Sequence, residues 1–172
     1  MPDARHAAFA AVVDGRTRVV ILGSLPGGMS LAQGQYYAQP SNQFWKLTGA
    51  VVGRDLVSLP YPGRLEALLD AGIGLWDTIE SAHRKGSLDS AIRNVEPRDL
   101  RAFAASLPNL QAIAFNGAKA AALGRKQLAD RASKAALIDL PSSSAAYCTI
   151  SFGAKLERWL PLQAFLSPDR GT

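Results

Sequence analysis

Four short apolar runs predict buried strands, because each is too short for a helix and all are rich in branched or aromatic residues. Stretches with apolar residues at helical spacing separate these runs, and such alternation predicts a parallel sheet. We therefore expect an α/β fold, a three-layer α/β/α arrangement around a central, mainly parallel four-stranded sheet. The predicted strands are Val19–Leu22, Ile73–Trp76, Ala112–Phe115 and Leu137–Leu140, and the predicted helices are Asn42–Val52, Pro62–Ala71, Asp89–Arg93, Pro97–Leu107, Ala118–Leu128 and Gly153–Phe165.

A polar or glycine-containing loop follows each predicted strand. The loops are Gly23–Gly28, Asp77–Ser81, Asn116–Gly117 and Pro141–Ser144. Because the carboxyl ends of parallel strands meet at one edge of the sheet, where open α/β sheets bind ligands, we expect these four loops to form a single site.

The composition is that of a globular protein, with 48% hydrophobic and 19% charged residues in 172. This length suits one domain over residues 1–172, with a frayed tail at about 167–172. We expect a cytoplasmic protein without membrane contact, because no apolar run could cross a bilayer and the first residues lack a signal-peptide pattern. The net charge of +5 is compatible with a polyanionic partner but does not require one.

The sequence contains few residues that could bind a metal. Cys148 is the single cysteine, which excludes an internal disulfide and a four-cysteine zinc or iron–sulfur site. The only histidines are His6 and His83, which argues against a metal site built from imidazoles. No glycine-rich dinucleotide or P-loop fingerprint follows the first strand. We therefore expect chemistry that uses no metal and no cofactor.

The segment that follows the first strand combines a glycine turn with aromatic and amide side chains. Backbone amides of the turn Gly23–Gly28 can approach a ligand closely. The ring of Tyr37 lies in a turn-rich stretch and could stack on a base, whereas Phe44 and Trp45 are expected in the core. Asn42 could cap the helix that follows, and capping does not exclude a catalytic role.

The other loops also admit a structural and a functional interpretation. Asp77 is either a helix cap or a carboxylate that reads the edge of a ligand, and Asn116 is part of a turn or an amide held at the strand end. The hydroxyl-rich stretch Pro141–Ala146 is an ordinary loop or a phosphate clamp. We assign Gly86–Asp89 a structural, capping role. A hydrolase dyad of Ser142 and His83 is disfavoured, because no Gly-x-Ser-x-Gly elbow is present.

Taken together, these stretches resemble the uracil-DNA glycosylase superfamily, and most closely its hypoxanthine and mismatch-specific (thymine/uracil) branches. The similarity covers most of the chain in order. Its segments are Gly23-Ser24-Leu25-Pro26-Gly27, Tyr36-Tyr37-Ala38-Gln39-Pro40-Ser41-Asn42-Gln43-Phe44-Trp45, Gly72-Ile73-Gly74-Leu75-Trp76-Asp77, Phe115-Asn116-Gly117 and Leu140-Pro141-Ser142-Ser143-Ser144-Ala145.

The chain departs from these branches at several positions. Leu25 stands where mismatch enzymes carry the asparagine that positions water, and Gln39 replaces the usual histidine of the hypoxanthine branch. The usual Ser-Pro-Ala-Asn ending is replaced by Ser144-Ala145-Ala146-Tyr147, and the arginine that mismatch enzymes insert into the duplex falls at Ala146. These departures leave both uracil and hypoxanthine open as substrates, and uracil is placed first because its excision is the commonest activity in the superfamily.

The resemblance implies a role for each matched position. Asn42 would hold the attacking water, and Asp77 would read the base edge as an ionised carboxylate that accepts hydrogen bonds only. Base contacts are implied for Gly23, Ser24, Leu25, Gly27, Tyr37 and Asn116. DNA contacts are implied for Ser142, Ser143, Ser144, Ala146 and Tyr147, and Arg84, Lys85 and Lys119 would add attraction that does not depend on sequence.

The implied activity is that of a monofunctional DNA glycosylase, which hydrolyses the N-glycosidic bond of a flipped base and leaves an abasic site. No lysine lies in the matched motifs, so a Schiff-base lyase step is not expected. The implied partners are DNA with a deaminated base and the free base as product, and a monomer is expected. The alternatives are a catalytically weak or inactive lesion-binding protein of the same fold, and an enzyme that acts on free nucleobases or nucleosides.

Overall fold

The computed structural model describes residues 5–84, 87–129 and 134–166. The predicted tail at 167–172 lies outside these ranges. The strands are β1 Arg5–Ala7, β2 Val19–Gly23, β3 Ile73–Asp77, β4 Ile79–Arg84, β5 Ile92–Pro97, β6 Ala112–Asn116 and β7 Ala136–Leu140. The helices are α1 Gly28–Gln33, α2 Phe44–Val52, α3 Tyr61–Ala71, α4 Leu100–Ala105, α5 Ala118–Leu128 and α6 Phe152–Trp159, and 3₁₀ turns span Asp89–Ala91 and Leu160–Phe165.

The central sheet has four parallel strands in the order β3-β2-β6-β7. The predicted strands correspond to β2, β3, β6 and β7, and each prediction falls within one residue of the observed bounds. β2 is buried along its whole length between β3 and β6, as expected of a central strand with both faces covered.

Two apolar clusters cover the two faces of this sheet. On one face, Val19 and Ile21 of β2 pack in a cluster that contains residues of α2, α3 and α6. On the other face, Val20 and Leu22 pack in a cluster with residues of α4 and α5. The strand alternates its side chains between the faces, so helices on both sides give the predicted three-layer α/β/α arrangement.

A second sheet was not predicted. It is antiparallel and has three strands in the order β1-β4-β5, and only one residue separates its middle strand β4 from the end of β3. The predicted loop over Asp77–Ser81 was therefore wrong, and of the predicted helix over Asp89–Arg93 only the 3₁₀ turn Asp89–Ala91 is present, because β5 begins at Ile92. Its strands carry many polar side chains and few branched apolar ones, which conceals the strand pattern in the sequence.

The second sheet supports the turn that follows β2. Leu25 of this turn packs in a small buried cluster with Ile79 and Ala82 of β4 and Ile92 of β5. The side chain of Leu25 is therefore buried in this cluster, and the packing holds the turn against the second sheet. No helix in the described ranges is long and apolar enough to span a membrane.

Candidate active site

A cleft of about 190 Å³ opens at the carboxyl ends of the parallel strands. The last residues of β2, β3 and β6 and the loops after β2 and β7 contribute to it, as their shared position at one sheet edge predicts. Of the residues singled out in the sequence, Arg84, Lys119, Ala146 and Tyr147 lie outside its lining. The cleft is lined by Gly23, Ser24, Leu25, Gly27, Tyr37, Asn42, Asp77, Asn116, Ser142, Ser143 and Ser144, and also by Ser87 and Asp89.

The glycine turn after β2 is held by its carbonyl groups. Thr78 N–H donates to the carbonyl of Gly23 at 2.8 Å, and Ile79 N–H donates to the carbonyl of Ser24 at 3.2 Å. In a planar trans peptide the C=O and the following N–H point in opposite directions. The N–H groups of Ser24 and Leu25 therefore point away from the β3–β4 connection, and both residues line the cleft.

Arg84 supports the same turn from inside the protein. Its side chain is only 1% exposed, and its guanidinium donates to the carbonyls of Leu25, at 3.4 Å, and Pro26. It also lies 3.8 Å from the carboxylate of Asp89, which accepts a 2.6 Å hydrogen bond from Ser24 Oγ. The prediction that Arg84 faces DNA was wrong, because this buried guanidinium is engaged with the turn, and Lys85 lies outside the described residues.

Asp77 lies at the end of β3 in direct register with Gly23 of β2. A Cβ atom on Gly23 would lie 2.7 Å from Asp77 Oδ1 and 3.2 Å from the hydroxyl of Tyr37, so only glycine allows this approach. Asp77 is 3% exposed, and among the described residues its Oδ2 has no hydrogen-bond partner. Burial raises the pKa of this carboxyl to about 7; Asp89 acts in the same direction and Arg98 opposes it.

The ring of Tyr37 is fixed from several sides. It stacks on Phe44 with a centroid distance of 3.7 Å and an angle of 10°, and its hydroxyl accepts a hydrogen bond from Asn116 Nδ2 at 3.3 Å. Trp45 Nε1 donates to the carbonyl of Tyr37 at 3.0 Å. Phe44 and Trp45 are buried, as predicted. Because Phe44 covers one face of the Tyr37 ring, a ligand can stack only on the other.

Asn42 both caps a helix and lines the cleft. Its Oδ1 accepts a hydrogen bond from the N–H of Phe44, the first residue of α2, at 3.0 Å. An amide oxygen has two lone pairs, so one remains for a further donor. The two interpretations of Asn42 that the sequence left open are therefore compatible, since the capping bond fixes the amide group beside the cleft.

Asn116 holds the serine loop, which we define as Pro141–Tyr147, against β6. Its Nδ2 donates to Ser143 Oγ at 2.9 Å, and its Oδ1 accepts from Ser143 N–H at 2.9 Å. Beyond this anchor the loop is braced by its own hydroxyls, since Ser142 Oγ accepts from Ser144 N–H and Ser144 Oγ accepts from Ala146 N–H. Tyr147, at the end of the loop, is 38% exposed.

Sequence reasoning missed three residues at this site. Lys155 of α6 is 1% exposed and donates to the Ser144 carbonyl at 3.1 Å and to Gln43 Oε1 at 2.9 Å, so it ties the serine loop to the start of α2. Ser87 and Asp89 line the cleft, although the Gly86–Asp89 stretch was assigned to capping. A helical lysine and a capping-like sequence carry no signal of such contacts, which depend on tertiary packing.

Comparison with known proteins identifies the family. The family model described as the uracil DNA glycosylase superfamily matches residues 10–161. The chain is 43% identical over 111 residues to a hypoxanthine DNA glycosylase of Methanosarcina barkeri, an alignment that covers 64% of this chain and 70% of that protein. It is 42% identical over 112 residues to a hypoxanthine DNA glycosylase of Methanosarcina acetivorans, covering 65% of this chain and 71% of that protein.

A solved structure agrees with this assignment. The solution NMR structure of a candidate uracil DNA glycosylase from Methanosarcina acetivorans has a TM-score of 0.83 and 35% identity, and covers 93% of this chain and 97% of its own. The resemblance inferred from the motifs is thereby confirmed, and the chain belongs to the uracil DNA glycosylase superfamily.

Proposed function

We propose that the protein is a monofunctional DNA glycosylase that removes a deaminated base and leaves an abasic site, with hypoxanthine as its first substrate and uracil as its second. The names of the two Methanosarcina relatives support this order, which reverses the order expected from the sequence. The observation that carries the proposal is the convergence of Asn42, Asp77 and the glycine turn on one cleft at the sheet edge.

The glycine turn and Asp77 would bind the extruded base. Cleavage of the N-glycosidic bond leaves negative charge on the base, and preorganised N–H groups stabilise such charge because they need not reorient during the reaction. The N–H groups of Ser24 and Leu25 would serve this purpose, and Gly27 lines the same side of the cleft. Tyr37 would stack on the base with the ring face that Phe44 leaves open.

Asn42 would hold the attacking water on the sugar side. The second lone pair of its Oδ1 can accept a hydrogen bond from water, while the bond from Phe44 N–H keeps the amide in place. A neutral amide is a poor base, so the sugar cation forms before water attacks. Position 25 cannot help to hold this water, because it is a leucine whose side chain packs into the core beneath the turn.

The serine loop would bind DNA beside the extruded nucleotide. Its hydroxyls and backbone amides suit phosphate oxygens, which determine position on DNA without reading sequence. Ala146 and Tyr147 would lie near the gap left in the duplex, and Lys119 would add electrostatic attraction. Asn116 contributes by fixing both Tyr37 and Ser143, since its amide is bonded to each. We propose a monomer that binds DNA with a deaminated base and releases the free base.

The test is a panel of oligonucleotides that contain hypoxanthine, uracil, xanthine or thymine, single- and double-stranded, scored by strand cleavage after hot alkali. We expect cleavage at hypoxanthine and, more slowly, at uracil. Asn42→Ala should lower the excision rate about 10²-fold or more but leave DNA affinity unchanged, because it removes a positioning group. Asn109→Ala is the matched control, since Asn109 is exposed and bonds the Gly15 carbonyl.

Other outcomes would identify the alternatives. DNA binding without cleavage of any of the four bases would establish a lesion-binding protein of the same fold. Hydrolysis of free nucleosides, without salt-dependent DNA binding, would establish a small-molecule enzyme.

A further inference from the structure

The carboxyl group of Asp77 is buried without a compensating partner. Among the described residues its Oδ2 accepts no hydrogen bond, and Asp77 forms no salt bridge. An ionised carboxylate in such a place has lost its hydration without replacement, which strongly favours the protonated form. The position is nevertheless inside the cleft, directly against Gly23.

The charged groups around Asp77 do not change this conclusion. Arg84 is engaged with the turn carbonyls and Asp89. Arg98 donates from Nη2 to the Phe9 carbonyl at 2.6 Å and lies over the Trp76 ring at 4.3 Å, while its Nη1 has no hydrogen-bond partner among the described residues. The groups that act on Asp77 electrostatically are Arg98, Asp89 and Arg84, together with the neutral hydroxyls of Tyr36 and Tyr37. Burial outweighs the two guanidinium groups, and the pKa of Asp77 rises to about 7.

We propose that Asp77 receives the extruded base as a neutral carboxylic acid, whose O–H donates to the base carbonyl oxygen while its C=O accepts the adjacent base N–H. The proposal rests on the proposed glycosylase function and specifies the chemistry of the same site. It replaces the expectation of an ionised, acceptor-only Asp77.

A neutral carboxyl matches the edge that deamination creates. Hypoxanthine, uracil, xanthine and thymine all present a C=O beside an N–H, and a carboxylic acid offers one donor and one acceptor at the same spacing. A carboxylate could satisfy only the N–H and would oppose the carbonyl oxygen. The neutral form therefore makes two hydrogen bonds where the ionised form makes one.

The same charge state favours departure of the base. As the glycosidic bond breaks, its electron pair moves to the base, and a carboxylate in contact would repel that charge in a site screened from water. A neutral acid instead donates a charge-assisted hydrogen bond that strengthens as charge develops. Asp77 keeps its proton in this step, and the base anion is later protonated by solvent.

The pH dependence of excision tests the charge state. We expect the single-turnover rate on a hypoxanthine duplex to be high below pH 7 and to fall toward tenfold per pH unit above it, as the active neutral form is lost. The rate of Asp77→Asn should lose this alkaline decline whatever its absolute level, because an amide is a donor and an acceptor at every pH. Asp55→Asn, a change at an exposed carboxylate that bonds Ser58, should keep the decline.

A flat wild-type profile, or an Asp77→Asn variant that keeps the alkaline decline, would overturn the proposal. A ¹³C-NMR titration of the Asp77 carboxyl in the DNA-free protein, assigned by its absence in Asp77→Asn, tests the charge state without any activity. A midpoint near 7 supports the neutral acid, and a midpoint below 5 contradicts it. If wild-type protein excises no base but the midpoint is near 7, the glycosylase function alone has failed.

Discussion

The two sides of the cleft are built in different ways. The glycine turn, Gly23–Gly28, is held by backbone bonds to Thr78 and Ile79 and by a buried guanidinium beneath it. The serine loop is held mainly by side chains, those of Trp159, Asn116 and Lys155, together with the backbone N–H of Gln43, and its tip is exposed. The side that meets the base is thus fixed inside the protein, whereas the side that meets DNA is anchored at a few points.

This contrast suggests a division of labour. Discrimination between bases depends on atoms placed within a few tenths of an ångström, and catalysis is sensitive to such displacement. Phosphate binding tolerates more adjustment because it depends on charge and many weak contacts. Changes in the turn should therefore affect the rate of excision, and changes under the serine loop should affect DNA affinity.

Gly23→Ala should have the largest effect. The added Cβ would meet Asp77 Oδ1 at 2.7 Å, so the buried aspartate or the turn would have to shift. Displacement of the groups that read and stabilise the base should lower the excision rate about 10²- to 10³-fold. Single-turnover kinetics on a hypoxanthine duplex would measure this loss, and anisotropy should show DNA affinity within a few-fold of wild type.

Gly28→Ala is the matched control for this change. It lies in the same turn, but its Cβ would meet only Ser87 Oγ, at 3.4 Å, and its N–H bond to Ser87 is kept. We expect activity within a few-fold of wild type. Equal losses of excision rate in the two variants would show that any added methyl group in the turn impairs catalysis. The close contact between Gly23 and Asp77 would then have no special role.

Sequence patterns revealed the central sheet but not the second sheet, which packs against the glycine turn. The four parallel strands are continuous apolar runs, and their topology alone brings the four loops together. β4 and β5 carry Glu80, Arg84 and Arg93 among few apolar residues, so they resemble loops until Ile79 and Ile92 are seen to pack on Leu25. Tertiary contacts of this kind override local preference.

The charge state of Asp77 could not be inferred from the sequence for a similar reason. An aspartate after a strand is ordinarily ionised at neutral pH, and only burial against Gly23 and Tyr37 changes that. Lys155 was missed because nothing in the sequence around it marks a contact with a loop eleven residues earlier. Both residues show that chemistry at this site depends on what surrounds a side chain as much as on its type.

A stability measurement would sharpen the contrast by showing how the buried carboxyl group of Asp77 changes the free energy of unfolding with pH. The pKa of Asp77 is raised in the folded state, so the folded protein binds this proton more tightly than the unfolded chain. The resulting stabilisation is complete at pH below the unfolded pKa and is lost as pH rises through about 7. From pH 5 to pH 8 this group should lower the free energy of unfolding by on the order of 2–3 kcal/mol.

Urea denaturation of wild type and Asp77→Asn at both pH values would measure this contribution. The variant lacks the titrating group, so the difference in unfolding free energy between the two proteins should shift by this amount in favour of Asp77→Asn at pH 8. A difference that is the same at both pH values would show that Asp77 titrates alike in the folded and unfolded states.

Lys155→Met should have the smallest effect and should act on the other side of the cleft. Removal of the ammonium leaves the Ser144 carbonyl and Gln43 Oε1 without their donor, a loss of about 1–2 kcal/mol when the acceptors stay buried. The serine loop should loosen, so that DNA affinity falls about tenfold while kcat at saturating DNA changes little. Lys155→Arg, which keeps the charge and the donors, should recover part of this affinity.

The salt dependence of binding separates this support from a direct phosphate contact. Lys155 is buried and bonded to the protein, so Lys155→Met should leave the slope of log K against log salt unchanged. Lys119 is partly exposed and was selected as a phosphate-binding residue, so Lys119→Met should reduce the slope by about 0.9. If Lys155→Met reduced the slope by the same amount, its ammonium would reach DNA itself, and the serine loop would be a contact surface that opens on binding.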